Sequence, residues 1–393
     1  MPNMSLQDNS PHPRHPKLSI SQQNQIARRA VFNKSRLIQQ KIAQSITGAG
    51  PVVSPSNVFT FNPIQVGLLI SFIVEITCTI NNTGAGALTL TPNGADNILS
   101  NIQFNDFTGN PRHNCSGRTL SFVEAAKYKR TPGAAQTSDS VSGFGSIVAS
   151  NVAPATIANG SNGVVTRVFE IPVMVDETLD MAGALYLGVN NQNTLLKLTL
   201  NPNVVGTDPL LAVYTGTSGT LINYTINVYQ RYWNNLPKHG EKLFLPDLDL
   251  ATAYMIQEFS SGISFAANQE NFWNYPTFSE ILGTYFSYDN ASTTLNAGTD
   301  LTKIRTVVSN YSSIVECDPN VMDRLIRDQI QTSMPKGSYG FFSREKRWNV
   351  NQYPSLQLGI TPSSAPANTY ALVGTELLRR VQYLEQASGV GGV

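Results

Sequence analysis

Residues 221–254, LINYTINVYQRYWNNLPKHGEKLFLPDLDLATAY, close one β-rich region and open another. Ile222, Tyr224, Ile226 and Val228 alternate with Asn223, Thr225 and Asn227. This period of two puts the apolar side chains on one face of a half-buried strand. Behind it, Asn234-Asn235-Leu236-Pro237-Lys238-His239-Gly240 gathers residues that tolerate left-handed backbone or fix φ, so the strand cannot continue. A second β-rich block begins after Pro246. Arg231-Tyr232-Trp233 is the one approach to an aromatic platform interleaved with cations for single-stranded nucleic acid, and at a strand end it reads better as packing.

Outward from this boundary, strand signals fill the N-terminal side from Asn57 onward. Ile70, Phe72, Val74, Ile76, Cys78 and Ile80 alternate with Ser71, Glu75, Thr77 and Thr79 until Asn81-Asn82-Thr83-Gly84 ends the run. The apolar run 66–80 falls short of the roughly 20 residues that span a bilayer and carries Glu75, so it reads as a strand. Shorter strands are expected at 87–91, 98–104, 164–175, 184–189, 195–200 and 210–214, a spacing that means a sandwich or barrel. One helix is expected at 121–129, where Ser121 and Glu124 match a capping box, Lys127 and Lys129 sit at the negative end and Pro132-Gly133 follow.

The second block repeats the plan with different letters. Strands are expected at 277–288, 339–342, 356–360 and 370–374. Its helix has Asp318 as N-cap, Pro319 in first position, a stripe of Met322, Leu325, Ile326 and Ile330, and Pro335-Lys336-Gly337 beyond its end. The Gly-rich tail 384–393 has few side chains to pack and is expected to stay mobile until held. The chain thus divides into a basic arm over 1–50, a first β-domain over 51–245, a second over 246–383, and the tail.

Residues 1–50 carry seven basic residues against Asp8, a net +6, so the remaining 20 basic and 25 acidic residues leave −5 elsewhere. After a Pro-rich start, Ser19 or Ser21 caps an expected amphipathic helix with Ile26, Ala30, Leu37, Ile38 and Ile42 at helical spacing, ending before Gly48. Its polar face holds Arg28, Arg29, Lys34, Arg36 and Lys41. Three readings stay open: a helix on its own subunit, a cationic face for anionic lipid or nucleic acid, or an arm that binds a neighbour.

Charged residues make up only 13% of the 393, where about 25% is usual. Asn, Thr, Ser and Gly must then cover much of the surface. Neutral polar groups lose less hydration than charges on burial, so such a chain suits extensive contact with copies of itself. Three cysteines, Cys78, Cys115 and Cys317, are too few and scattered for a disulfide framework or zinc cluster and read as reduced and buried. No apolar segment with a small-residue cleavage site opens the sequence, and the protein reads as made in the cytosol.

Candidates for chemistry are thin. His12 and His15 fall in the Pro-rich start, His239 in the boundary loop, and His113 beside Cys115 lacks a second ligand at metal spacing, so surface or turn histidines are expected. The acid pairs Asp176-Glu177 and Asp247/Asp249 read as turn caps rather than as the two carboxylates of a glycosidase. Gly84-Ala-Gly86 and Gly143-Phe-Gly145 lack the helix and Lys-Ser/Thr of a phosphate cradle. No catalytic, cofactor-binding or metal-binding residue is assigned.

The chain also resembles a known family, the double jelly-roll major capsid proteins of tectiviruses, tailless double-stranded DNA phages with a membrane inside an icosahedral shell. The resemblance is carried by 63–77, PIQVGLLISFIVEIT, by APATIA at 153–158, by 172–183, by LKLTLN at 196–201, by LPDLDLATAY at 245–254, by LNAGTDL at 295–301 and by PKGSYGFF at 335–342. It implies an all-β fold with a few helices, in which two eight-stranded jelly rolls stand side by side. It also implies a homotrimeric, pseudo-hexagonal capsomer in the virion, neighbouring capsomers and other capsid proteins as partners, and an inner viral membrane met by the arm. Neither a cofactor nor sequence-specific nucleic-acid binding is implied. A β-sandwich that binds or hydrolyses carbohydrate is the alternative, and it would need an exposed aromatic platform or carboxylates paired in a cleft.

Overall fold

The structure is a computed structural model that describes residues 56–128, 151–176, 181–188, 193–209, 211–239, 252–259, 268–277, 279–289, 301–308, 312–330, 338–342, 348–350, 355–363 and 370–380, with most of 26–51, Ala266 and the short strands at 139–140, 146–147 and 242–243. Among the described residues, sixteen principal strands and two twelve-residue α-helices build two halves. The first half runs β1 (Arg36–Lys41, resumed at Ile46–Ala49), β2 (Val58–Phe61), β3 (Leu68–Asn82), β4 (Leu99–Asn105), β5 (Pro111–Cys115), α1 (Gly117–Tyr128), β6 (Asn162–Pro172), β7 (Leu195–Leu200) and β8 (Gly219–Asn234). The second runs β9 (Thr252–Phe259), β10 (Asn271–Asn274), β11 (Ser279–Asp289), β12 (Leu301–Val308), β13 (Ser312–Cys317), α2 (Pro319–Ile330), β14 (Ser338–Phe342), β15 (Leu356–Pro362) and β16 (Tyr370–Arg380).

The two halves share one topology. In the first, antiparallel pairing orders the strands β1-β8-β3-β6 in one sheet and β2-β7-β4-β5 in the other. In the second, the orders are β9-β16-β11-β14 and β10-β15-β12-β13, the same arrangement counted from β9. Each half is therefore an eight-stranded jelly roll with one helix between its fifth and sixth strands. The rolls are joined edge to edge, because β5 pairs in parallel with β9 at His113↔Ile256 and Asn114↔Gln257. That pairing hides two sheet edges that would otherwise present open backbone groups.

β3 shows how the alternation builds the core. Phe72, Val74, Ile76, Cys78 and Ile80 are fully buried, while Ile73, Glu75, Thr77, Thr79 and Asn81 on the other face are half-buried. Across the sandwich Phe72 meets Phe104 of β4 edge to face, with centroids 5.2 Å apart. In the second roll Trp273 of β10 packs on Phe259 of β9 and on Tyr275. One continuous cluster of buried apolar side chains runs through both rolls.

Several expectations are corrected. The helix expected to extend to Gly48 is helical only as far as Lys34. Residues 36–41 and 46–49 are instead strands paired with β8, through Leu37↔Trp233 and Ile38↔Tyr232 in the first and Thr47↔Thr225 in the second. Hydrogen bonds offered by the edge of β8 outweigh a weak helical periodicity. The strand pattern thus starts at Arg36 rather than Asn57. Of the strand expected over 210–214, residues 211–213 are not a strand: Leu211 and Ala212 N–H both donate to Asp208 O in a turn, and Tyr214 enters one. The strand expected over 184–189 shortens to Leu185–Tyr186, and that expected over 370–374 lengthens to β16.

α1 begins at Gly117, one turn before the expected start, so Ser121 lies inside the helix. The capping oxygen is Ser116 Oγ, which accepts the Thr119 N–H at 3.3 Å. Glu124 is not half of a capping box but lies in a buried ion pair. α2 starts as expected, with Asp318 Oδ1 accepting the Asn320 N–H at 2.8 Å. Cys78 and Cys115 are buried free thiols, and burial pushes the Cys78 thiol up to about 12. The Pro-rich start, Arg28, Glu177, Asp247, Asp249, the Gly143 turn, the side chains of His239 and Cys317, and the tail lie outside the described residues.

Candidate functional site at the seam between the rolls

A group of buried polar side chains, among them Arg112, His113, Arg118 and Thr119, lies where α1, β5 and β9 meet. The sequence of β5, PRHNC, has no apolar alternation. It is a strand because β4 pairs with it on one side and β9 on the other. His113, expected as a surface or turn residue, is instead fully buried. Its Nδ1 accepts the Ile256 N–H at 3.0 Å, so the ring proton is on Nε2 and donates to Pro172 O at 2.7 Å. Burial lowers its pKa to about 3, with the nearby Arg112 and Lys127 charges acting the same way. The ring stays neutral and works as a fixed peg between β5, β6 and β9.

Beside it, Arg112 donates Nε–H to Asp106 at 3.3 Å and Nη1–H to Gly183 O at 2.6 Å. Gly183 has φ +85, and a Cβ there would fall 2.4 Å from Tyr254 Cβ on β9, so only glycine fits this crossing. Tyr254 stands edge-on to the His113 ring at 5.8 Å and donates its hydroxyl to Glu376 at 2.7 Å. Tyr285 donates to the other oxygen of Glu376 at 3.0 Å. Lys127 of α1 lies 5.6 Å over the Tyr254 ring and donates to Met174 O at 2.7 Å.

α1 is held from both sides. On the first roll's side, Arg167 of β6 pairs with Glu124 of α1 and with Asp96, the latter at 2.6 Å, and all three side chains are buried. Burial alone would lower the Arg167 pKa, but Glu124 and Asp96 more than offset it and hold the guanidinium charged. Glu124 also accepts the Glu170 N–H, and Glu170 in turn pairs with Arg231 at 2.6 Å and Ser71 at 3.0 Å. The Arg231-Tyr232-Trp233 run is thus packing, as read. On the second roll's side, one oxygen of Glu258 of β9 accepts from Ser116 N–H at 2.9 Å and from the Ser116 and Thr119 hydroxyls. A carboxylate at a helix N-terminus satisfies donors that the helix leaves unpaired. These groups spend their hydrogen-bonding capacity on one another, a chemistry that fastens two rolls into one body.

Of the arm residues, Arg29, Lys34, Arg36 and Lys41 are exposed. Arg36 and Lys41 stand at the two ends of β1, where Lys41 donates to Ser45 at 2.7 Å and lies 5.8 Å over the Tyr229 ring. Val31, between Arg29 and Lys34, is fully buried among Leu68, Ile70, Met174, Met181, Ala184 and Trp233. The arm's root is therefore packed on its own subunit. Sequence reasoning missed His113, Arg112, Glu258 and Glu376, because each is defined by a partner 59 to 143 residues away or on another roll.

Two jelly rolls joined side by side define the class of double jelly-roll capsid proteins. The structure resembles that of the Sulfolobus turreted icosahedral virus, with a TM-score of 0.60 at 12% identity over 90% of this chain and 94% of that one. The PBCV-1 virus capsid gives 0.52 at 11% identity over 88% and 95%. In sequence, the chain is 31% identical over 363 residues to the major capsid protein P3 of Enterobacteria phage PRD1, covering 89% of each. Residues 17–236 match the family model for the N-terminal part of the P3 major capsid protein, and 251–391 match that for its C-terminal part. The chain belongs to the P3 major capsid protein family, and its role is structural, in the virion capsid.

Proposed function

We propose that three copies of this chain associate into a pseudo-hexagonal capsomer, and that these capsomers tile an icosahedral shell around an internal membrane and a double-stranded DNA genome. The observation that carries the reading is the repeat of one strand order and one helix insertion in both rolls. Three such chains present six similar rolls, which can pack around an axis and cover a facet. The low charged fraction, 13%, supports it, since neutral polar sides meet without large desolvation costs. Each roll acts as a unit, the first up to about residue 245 and the second over 246–383, with the tail 384–393 beyond. The function includes no catalysis and no cofactor.

Residues ahead of β1, with Arg28, Arg29 and Lys34, together with Arg36 and Lys41 at the two ends of β1, face the anionic membrane or a neighbouring capsomer. Each Lys or Arg near an anionic bilayer contributes on the order of 1 kcal/mol, within a Debye length of about 10 Å at 0.1 M salt. Native mass spectrometry is expected to give three times the 42.8 kDa subunit mass, and electron microscopy a hexagonal outline. A persistent monomer sinks the capsomer reading. Replacing the five basic residues by Gln is expected to leave trimers intact and weaken binding to anionic vesicles. Unchanged, salt-insensitive binding would instead assign the arm to a protein neighbour.

A further inference from the structure

Within the chain, the two rolls meet where β5 pairs with β9, and Glu258, which follows the paired Ile256 and Gln257, accepts from Ser116, the cap of α1. The corresponding strands of the opposite rolls, β13 and β1, each end their sheet, with no partner on the outer edge among the described residues. The shared topology aligns them residue by residue. In the first roll Arg231 pairs with Ser71 and Tyr232 with Leu69, which skips Ile70; in the second Glu376 pairs with Gly283 and Leu377 with Ile281, which skips Leu282. The two bulges coincide. Gln39, opposite Arg231, therefore matches Ile256, opposite Glu376, and Gln40 and Lys41 match Gln257 and Glu258. Likewise Cys115, opposite Ile102, and the cap Ser116 match Cys317, opposite Ile304, and the cap Asp318.

We infer that β1 of one subunit pairs in parallel with β13 of the next, Gln39 beside Val315 and Gln40 beside Glu316, and that Lys41 there forms an ion pair with Asp318. This rests on the capsomer reading and names the residues of one contact in it. The occupant is a second copy of this chain because the chain carries both edges, and the register that joins its own rolls sets these residues side by side. Charge agrees. Within the chain the acid Glu258 lies on the neutral cap Ser116; across the edge the base Lys41 meets the acidic cap Asp318, and both are exposed. Gln39 and Gln40 are exposed as well, and pairing this edge satisfies backbone groups that otherwise stand open. Lys41 lies five residues along β1 from Arg36, about 16 Å in an extended strand, so of the arm's basic residues it is the one placed for a protein neighbour. The contact is head-to-tail, so it closes into a ring when successive subunits turn by one third.

The test follows the exchange of subunits between light and heavy isotope-labelled trimers of the full chain by native mass spectrometry, with circular dichroism confirming each fold. Lys41→Asp sets acid against acid and Asp318→Lys sets base against base, and each alone is expected to speed exchange by about tenfold or more, up to release of monomers. The two together in one chain restore an opposite-charge pair and are expected to bring exchange back to near the wild-type rate. Lys41→Gln keeps the strand join and is expected to leave the trimer assembled. If wild type is itself a monomer, the capsomer reading fails. If wild type is a trimer and either folded single variant exchanges at the wild-type rate, or the double variant exchanges as fast as the singles, the edge inference fails while the capsomer reading stands. Should a variant not fold, a photoreactive side chain at position 40 of the otherwise native trimer decides: cross-links must map to 312–318 of another chain, and cross-links mapping elsewhere overturn the inference.

Discussion

α1 and α2 are counterparts by topology and opposites in environment. α1 is buried along its length from Gly117 to Ala126, is capped by a carboxylate from the other roll and is anchored by a buried arginine. α2 is amphipathic, capped by its own Asp318, and its Arg324–Asp328 pair stands in solvent. The difference teaches that one supersecondary plan was used twice, with the first copy's helix made into an internal joint and the second's left as a surface. Composition follows the role. Phe122, Val123, Ala125 and Ala126 suit a helix covered on all sides, whereas a helix covered on one side keeps a charged stripe.

The largest effect that could break this comparison lies in the anchors. Arg167→Met leaves Asp96 and Glu124 buried without their cation and is expected to cost about 3–5 kcal/mol of unfolding free energy. Lys303→Met, which removes the half-exposed Lys303–Glu316 pair of the second roll, is expected to cost at most about 1 kcal/mol. Chemical denaturation of both measures the contrast, and equal losses would mean that the two rolls do not differ in this way.

A smaller effect tests the caps. Glu258→Gln keeps the shape and removes the charge that accepts from Ser116 and Thr119, for an expected loss of about 1–3 kcal/mol. Asp318→Ala, at the local cap of α2, is expected to cost about 1 kcal/mol. The two are further distinguishable by hydrogen exchange: the first should loosen amides of both α1 and β9, the second those of α2 alone.

The last effect is graded with pH. His113 has its pKa lowered by burial to about 3, against 6.5 in the unfolded chain. Its contribution is fully present above pH 6.5 and is lost as pH falls toward 3, because the unfolded chain takes up a proton that the folded one refuses. The slope below pH 6.5 is at most about 1.4 kcal/mol per pH unit. Melting temperature measured from pH 7 to 5 should fall in wild type and flatten in His113→Asn. The reverse sign would mean that His113 is charged in the seam.

Local pattern made much of the architecture legible. The alternation through β3 and β8, the turn cluster after Asn234 and the cap at Asp318 each report an interaction between residues close in sequence, and the structure bears them out. The resemblance named the family from the order of short segments across both halves. Residues 36–41 depart from the helical expectation for the opposite reason. RLIQQK carries no strong preference of its own, and only the free edge of β8, nearly 200 residues away, makes it a strand. The seam was invisible for the same cause, since PRHNC looks like a loop until β4 and β9 flank it.

By itself, then, the sequence determined two β-rich halves, a helix in each and a surface poor in charge, because side-chain period, turn chemistry and composition act over a few residues. Tertiary structure alone decided that β1 belongs to the first roll, that β5 joins β9 and that His113 and Glu258 become buried fasteners. Those outcomes depend on which backbone edges and which desolvated polar groups meet across long stretches of chain. No local pattern encodes such a meeting, and an edge or a buried polar group is stable only once its partner is in place.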